Sequence, residues 1–430
     1  MSLSFVKSLN NRRNQTIADQ LVVSGSNFLT GVILVRGLGL EQFGVFTVAY
    51  TLILLANSIQ LNFISSPMIT LAALSNSPEA RLRFVRGMFG VQVRFSAVVT
   101  LIATLAAGVF LWIRPQFDGM RLIPAFTLGI VFFLMQDWLR RYYFAVGKAQ
   151  VSVWNDLFSY FGQVILLICL MFTRHLTVNT ALWSIAITSG AAFALGVICE
   201  RLRYSIEEVR EAWRRSRTIS RDLAIANQLQ WFVYQGALLI GAGVLGAEAA
   251  GSVRATQNVV GPVNIAYQAM ENLVPLKAGE EMRRGGTKQA ARFLLRFGSQ
   301  GFVVLFVAFL VLSFFSRSFL SFFYGQKVAA YVGILNLQMV YFLLLWPLRQ
   351  FSYLFRTVGK TSSILASSLV AAVTSLVLIY PCVRSFGALG IMVAAVAGQL
   401  ANLIFMSIVW IRMRPSLMSK EEHLKIVAGI

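Results

Sequence analysis

Runs of about twenty predominantly apolar residues follow one another along this chain, parted by short turns rich in arginine. A run of that length crosses the hydrocarbon core of a bilayer as a helix. Because lipid offers no hydrogen-bond partners, only helices and closed barrels satisfy their own backbones there. The runs are twice the length of barrel strands, which predicts an all-α integral membrane protein. Segmenting at charge and turn clusters places twelve transmembrane helices at about 17–38, 43–71, 84–112, 122–145, 151–172, 178–199, 223–245, 250–276, 293–315, 329–355, 362–383 and 389–413. A composition that is 57% hydrophobic, with 34 Phe and only 13% charged residues, leaves little for a soluble domain. The basic N-terminal stretch resembles the start of a signal sequence. The run after it is long and has no clear small-residue cleavage site, so it reads as a retained first helix.

Lys and Arg total 38 against 17 acids, a net charge of +21. In a soluble chain that excess would suggest nucleic acid; in a membrane chain the distribution between turns must be read first. Thirty of the 38 lie in the N-terminal segment and the even-numbered turns, against eight elsewhere: Arg36, Arg114, Arg121, Arg174, Arg254, Arg317, Lys327 and Arg384. The positive-inside rule then predicts that both termini are cytoplasmic, and no nucleic-acid partner is expected. Cys169, Cys199 and Cys382 all lie inside apolar runs and there are two histidines, so no disulfide framework, metal site or cofactor is expected.

A repeat organises the spans. IADQL at 17–21 returns as IANQL at 225–229, and LGLEQFG at 38–44 returns as LGAEAAG at 245–251. Pro67 has a counterpart in Pro275, and VGK at 146–148 recurs at 358–360. These echoes predict two pseudo-symmetric bundles of six helices. The N-terminal bundle covers 1–199, an amphipathic cytoplasmic linker 200–222, and the C-terminal bundle 223–430. Six is even, so the halves enter the membrane from one side, an arrangement in which a transporter's substrate site lies between them. In the linker, Leu202, Ile206, Val209 and Trp213 share a helical face, which suits either a helix on the membrane surface or a solvated connector.

Polar side chains inside spans are costly in lipid and are expected to face the bundle interior or a watery cavity. In the eighth span Arg254, Gln257, Asn258, Gly261, Asn264, Gln268, Glu271 and Asn272 recur at spacings of three and four. The second span carries Asn57 and Gln60, and Asn57 aligns with Asn264. An arginine fork binds phosphate oxygens and stays charged when desolvated, so Arg36 and Arg254 add a cationic character suited to an anionic, phosphate-bearing substrate. The candidate cavity set is therefore Arg36, Asn57, Gln60, Arg254, Gln257, Asn258, Asn264 and Gln268. Interhelical hydrogen bonding, or pairing of Arg36 with Glu41 and Arg254 with Glu248, are the competing readings. Asp19, Asp137, Asp156 and Glu271 are candidates for ion coupling. Asp137 also stands three and four residues before Arg140 and Arg141, the spacing of a helix salt bridge.

Other activities lack their residues. VGKTS at 358–362 has Leu354 where a phosphate loop needs its first Gly and follows a membrane helix instead of a strand, so it does not signal ATP hydrolysis. The external turns carry only Asp118, Glu41 and Glu248, too few acids for a membrane glycosyltransferase, and no enzyme activity is expected. The turn LSNSPEARLRFVRG lacks the Asp of major-facilitator porters.

The stretch NQTIADQLVVSGSNFLTGVILVRGLGLEQFGVFTVAY, with its Arg-x-Leu-Gly turn at 36–39 followed by Phe43-Gly44, resembles the start of bacterial polysaccharide transport proteins. These include the O-antigen flippases of the multidrug/oligosaccharidyl-lipid/polysaccharide flippase superfamily. The resemblance runs the length of the chain through span count, repeat and the Gly-Lys turns. It implies a V-shaped pair of bundles in the bacterial inner membrane that alternates its opening and moves a lipid-diphosphate-linked oligosaccharide, with ion coupling. The implied partners are that glycan, membrane lipid, and polysaccharide polymerase or export proteins. Gly243 stands where a second Arg36 would align, so that arginine is not duplicated. A multidrug or metabolite exporter of the same superfamily, and a non-transporting scaffold of a polysaccharide synthesis complex, are the alternative readings.

Overall fold

Apolar side chains at nearly every turn favour helix along most of this chain, and helix is what forms. The computed structural model describes residues 12–73, 75, 77–113 and 120–427, and every regular element among them is helical. Ten helical stretches among the described residues are long and apolar enough to cross a bilayer. The protein is a multi-pass membrane protein. The two expected spans that fall short are 223–245 and 250–276; helix occupies both, but each is interrupted and the second carries the polar stripe.

The chain divides into two compact units, Met1–Gln228 and Leu229–Ile430. In the first, α1 (Arg12–Leu38) turns at Gly39 into α2 (Leu40–Gln60), which passes through a π turn at Leu61–Ser65 into α3 (Ser66–Ala73). Helices α4 (Pro78–Ile113) and α5 (Leu122–Ala145) follow. Helix α6 (Ala149–Asp156) runs through a second π turn, Leu157–Phe161, into α7 (Gly162–Phe172), and α8 (Val178–Glu200) closes the set. Its core gathers Ile64, Met68, Phe84, Met88, Phe89, Trp138, Leu139 and Tyr142, all nearly sealed. A π turn widens the hydrogen-bond ladder and is found mostly at functional sites. Both of these π turns begin directly after a buried polar residue, Gln60 and Asp156.

The linker belongs to this unit. Its helix, α9 (Ile206–Trp231), starts after a left-handed residue, Arg201, with φ 48°. Of the four residues predicted to share an apolar face, Leu202 and Val209 are buried, while Ile206 is exposed and Trp213, also exposed, lies against Phe63 with the rings tilted. Gly87 and Gly90 of α4 let the backbone approach: a Cβ on Gly87 would strike the Glu208 carbonyl, and one on Gly90 would strike Val209. Docking on α4 therefore covers Leu202 and Val209, while Ile206 and Trp213 stay exposed on the same helix.

In the second unit a third π turn, Phe232–Gly236, joins α9 to α10 (Ala237–Leu245), and α11 (Ala247–Val260) follows. Helix α12 (Val263–Tyr324) contains a non-helical pair, Gly285 and Gly286, that bends it. After α13 (Gln326–Ala329) come α14 (Val332–Thr357), α15 (Thr361–Phe386) and α16 (Ala388–Val427), with Leu348, Phe355 and Met406 packed between α14 and α16. The glycines that the sequence echoes align share a backbone shape. Gly39 and Gly246 have φ/ψ of 79°/169° and 91°/178°, and Gly147 and Gly359 have φ of 82° and 76°. Side chains with a Cβ avoid these angles, which is why the residue recurs at these turns.

Candidate functional site

The polar residues of the first unit meet in one buried knot. Helix α5 presents Gln136, Asp137, Arg140 and Arg141 on one side, because positions three and four apart stack on a helix. Arg141 Nε donates to Asp137 Oδ2 at 3.0 Å, and Arg140 lies 3.9 Å from the same carboxylate. Arg140 Nε also reaches across to Asp156 Oδ2 on α6 at 2.7 Å, and Gln136 Nε2 donates to Asp156 Oδ1 at 2.9 Å. From α2, Gln60 Nε2 approaches Asp137 Oδ2 at 3.5 Å and Asn57 lies alongside the same group. Asp156 and Gln60 are fully buried, and Asp137 and Arg140 nearly so. Two carboxylates are thus neutralised by two guanidinium groups, and Ser152 and Asn155 tie the knot to the backbones of Arg140 and Ala192.

The second unit holds a more open arrangement around a break in the expected eighth span. Pro262 supplies no N–H, and the backbone bonds there tighten: Gly261 N to Asn258 O, Asn264 N to Gly261 O, and Ile265 N to Pro262 O. Gln338 of α14 steadies the end of α11, donating to Val253 O and Thr256 Oγ1, each at 3.0 Å. Against that frame Arg254 Nη1 donates to Gln257 Oε1 at 3.3 Å. Gln257 Nε2 and the Tyr234 hydroxyl are buried beside one another without closing a hydrogen bond. Tyr234, in the third π turn, stacks on Tyr341 with ring centroids 4.6 Å apart. Unmet buried polar atoms are rare in folded proteins and call for an explanation, a ligand among them. Discontinuous membrane helices are where transporters place such ligands.

Further along α12, Glu271 is held by Arg349 and Arg356 of α14, with Arg349 Nη1 at 3.4 Å from Glu271 Oε2 and Arg356 Nη1 against Oε1. All three side chains are partly open.

The structure sorts the sequence candidates into groups. Asn57, Gln60, Asp137 and Asp156 share the buried knot, whereas Arg254, Gln257 and Asn258 stand together before the Gly261–Pro262 break. Asn264, just after the break, is exposed, and Arg36 is exposed at the end of α1. Glu248, weighed as a partner for Arg254, accepts a hydrogen bond from the Tyr331 hydroxyl at 3.2 Å. The side chains of Asp19, Gln268 and Asn272 lie outside the described residues. Sequence reasoning passed over Arg349, Arg356, Tyr234 and Gln338. The two arginines had a visible signal, a seven-residue spacing that puts both on one helix face, but they were counted as turn charges.

A surface groove of about 420 Å3 in the first unit, lined by Gln42, Arg121, Thr177 and Asn179 among others, contains none of the candidates.

No protein-family model matches the chain, and no curated protein matches it. Solved structures do. One is an inward-facing multidrug resistance MATE family transporter of the MOP superfamily, with a TM-score of 0.71 and 15% identity over 93% of this chain and 96% of that one. The lipid II flippase MurJ in an inward closed conformation gives a TM-score of 0.65 at 10% identity, covering 92% of this chain and 86% of that one. A Pyrococcus furiosus MOP superfamily transporter, described as having a binding pocket of reverse polarity, gives 0.54 at 12% identity, covering 94% of each. The chain shares the fold of these structures. At these identities the likeness speaks for the fold alone.

Proposed function

We propose that this protein is a flippase that moves a lipid-diphosphate-linked oligosaccharide, the repeat unit of a surface polysaccharide, across the bacterial inner membrane. The reading has twelve spans in two related six-helix bundles that form a V, both termini cytoplasmic, and transport by alternating access with ion coupling. Arg254, Gln257 and Asn258 belong to the substrate cavity, and Arg36, Asn57, Gln60, Asn264 and Gln268 remain in the proposed set. The working partners are the glycan substrate, membrane lipid and, in the cell, polysaccharide polymerase or export proteins.

One observation carries the reading: the charge balance of the polar helix positions. Asp137, Asp156 and Glu271 are each held by at least one arginine, and Glu271 by two. The four arginines that hold them outnumber these three carboxylates and Arg254 adds a fifth guanidinium, so the polar helix positions offer donors and positive charge. That is the chemistry of a diphosphate and sugar hydroxyls leaving water. An exporter of organic cations needs carboxylates open to its cargo, and these are committed to arginine.

Deleting the gene in its source cell tests the reading. Undecaprenyl-diphosphate-linked sugars should accumulate while surface polymer disappears, and wild-type but not Arg254→Ala protein of equal abundance should restore the polymer. Unchanged polymer and intermediates, with increased drug sensitivity, would replace the flippase by the exporter.

A further inference from the structure

The two ion-pair clusters are built differently. In the first unit Arg140 and Asp156 meet at 2.7 Å with side chains 8% and 0% exposed, a sealed contact between structural partners. In the second, Glu271, Arg349 and Arg356 keep 35%, 38% and 44% of their side chains open. Arg349 meets the carboxylate at 3.4 Å, long for a charge-assisted bond. Each arginine gives Glu271 a single nitrogen, so neither uses the paired donors of its fork. Arg349 Nε is buried with no partner among the described residues. Tyr353, between the two arginines on the same face and fully buried, turns its hydroxyl toward Glu271 without completing a bond to it.

Two positive charges face one negative charge, several donors are unspent, and the cluster is open. We propose that Arg349, Arg356 and Tyr353 form a binding site for a phosphate-class anion, and that the Glu271 carboxylate is its built-in occupant, displaced when the anion arrives. A phosphate or diphosphate brings more charge and more acceptor oxygens than one carboxylate, so it meets the donors that Glu271 leaves idle. The released Glu271 no longer pairs with α14, so occupancy of the site and this one ion-pair link between α12 and α14 become alternatives. The anion has more than one source: the head group of a lipid-linked diphosphate, the phosphate of a membrane phospholipid, or free phosphate. Only the first rests on the flippase reading.

The test uses the full-length protein in nanodiscs of phosphatidylcholine, titrated with inorganic pyrophosphate at fixed salt. Wild-type protein should bind saturably, and Glu271→Gln about tenfold more tightly because its competitor has lost its charge. Adding Arg356→Gln should remove that gain. Arg356→Lys alone, which keeps the charge but loses the fork, should bind more weakly at an unchanged unfolding temperature. The proposal is overturned if Glu271→Gln binds no better than wild type, or if neither Arg356 variant changes binding. Repeating the titration in phosphatidylglycerol identifies the source: lost pyrophosphate binding assigns the site to phospholipid head groups, and retained binding assigns it to a soluble or substrate phosphate. Normal pyrophosphate binding in a protein that restores no polymer would remove the flippase reading and leave this site standing.

Discussion

A buried arginine and a buried carboxylate each cost several kcal/mol to strip of water, and they are tolerated together because each satisfies the other. Asp156 and Arg140 are such a pair, so removing one charge takes from the other its shortest ion-pair contact. Asp156→Asn should destabilise the first unit by about 3–5 kcal/mol. Replacing both residues with apolar ones of similar volume should recover most of the loss, as read by thermal unfolding in detergent. If the single variant unfolds no earlier than wild type, the pair is not the linchpin of this unit. The salt bridges of Asp137 were legible from its spacing to Arg140 and Arg141, because a helix fixes which neighbours share a face. The partner of Asp156 was not legible, because Arg140 reaches it from another helix and nothing local encodes that meeting.

At the scale of elements, three π turns and one proline break interrupt helices that composition alone would draw as continuous. The break at Gly261–Pro262 comes one turn after Gln257, where the backbone bonds tighten to three-residue spacing. Pro262→Ala would restore the missing N–H. Pro262 caps the start of α12, where its missing N–H costs little, so the variant should leave the unfolding temperature about unchanged while slowing transport. Faster or unchanged transport by the variant would show that the break is not used. The linker teaches the same lesson from the opposite side. Of the four apolar positions expected to share a face, Val209 docks on α4 because Gly87 and Gly90, 119 positions or more upstream of it by chain order, leave room for it, while Ile206 and Trp213 stay exposed.

For the whole molecule, the arginine and lysine distribution makes a sided prediction. In a background without the native cysteines, a membrane-impermeant maleimide added to intact spheroplasts should label Lys327→Cys. Arg210→Cys should react only after permeabilisation, because the linker stands on the side where thirty of the 38 basic residues gather. Both residues are exposed, so access depends on sidedness and not burial. Labelling of Arg210→Cys from outside would invert the topology.

The sequence by itself determined the class of the protein, the positions of its apolar runs and the glycines at its turns. Those follow from local physics: lipid demands apolar length and internal hydrogen bonds, and the turns at Gly39 and Gly246, with positive φ and extended ψ, demand a missing Cβ. Only the tertiary structure decided what the polar residues do. A glutamine or aspartate on a helix shows the same period whether it meets a carboxylate or arginine of a neighbouring helix, as Gln60 and Asp156 do, or an arginine of its own helix, as Gln257 does. That choice depends on which helix packs alongside, and on residues such as Arg140, Gln338 and Arg349 that arrive from distant parts of the chain.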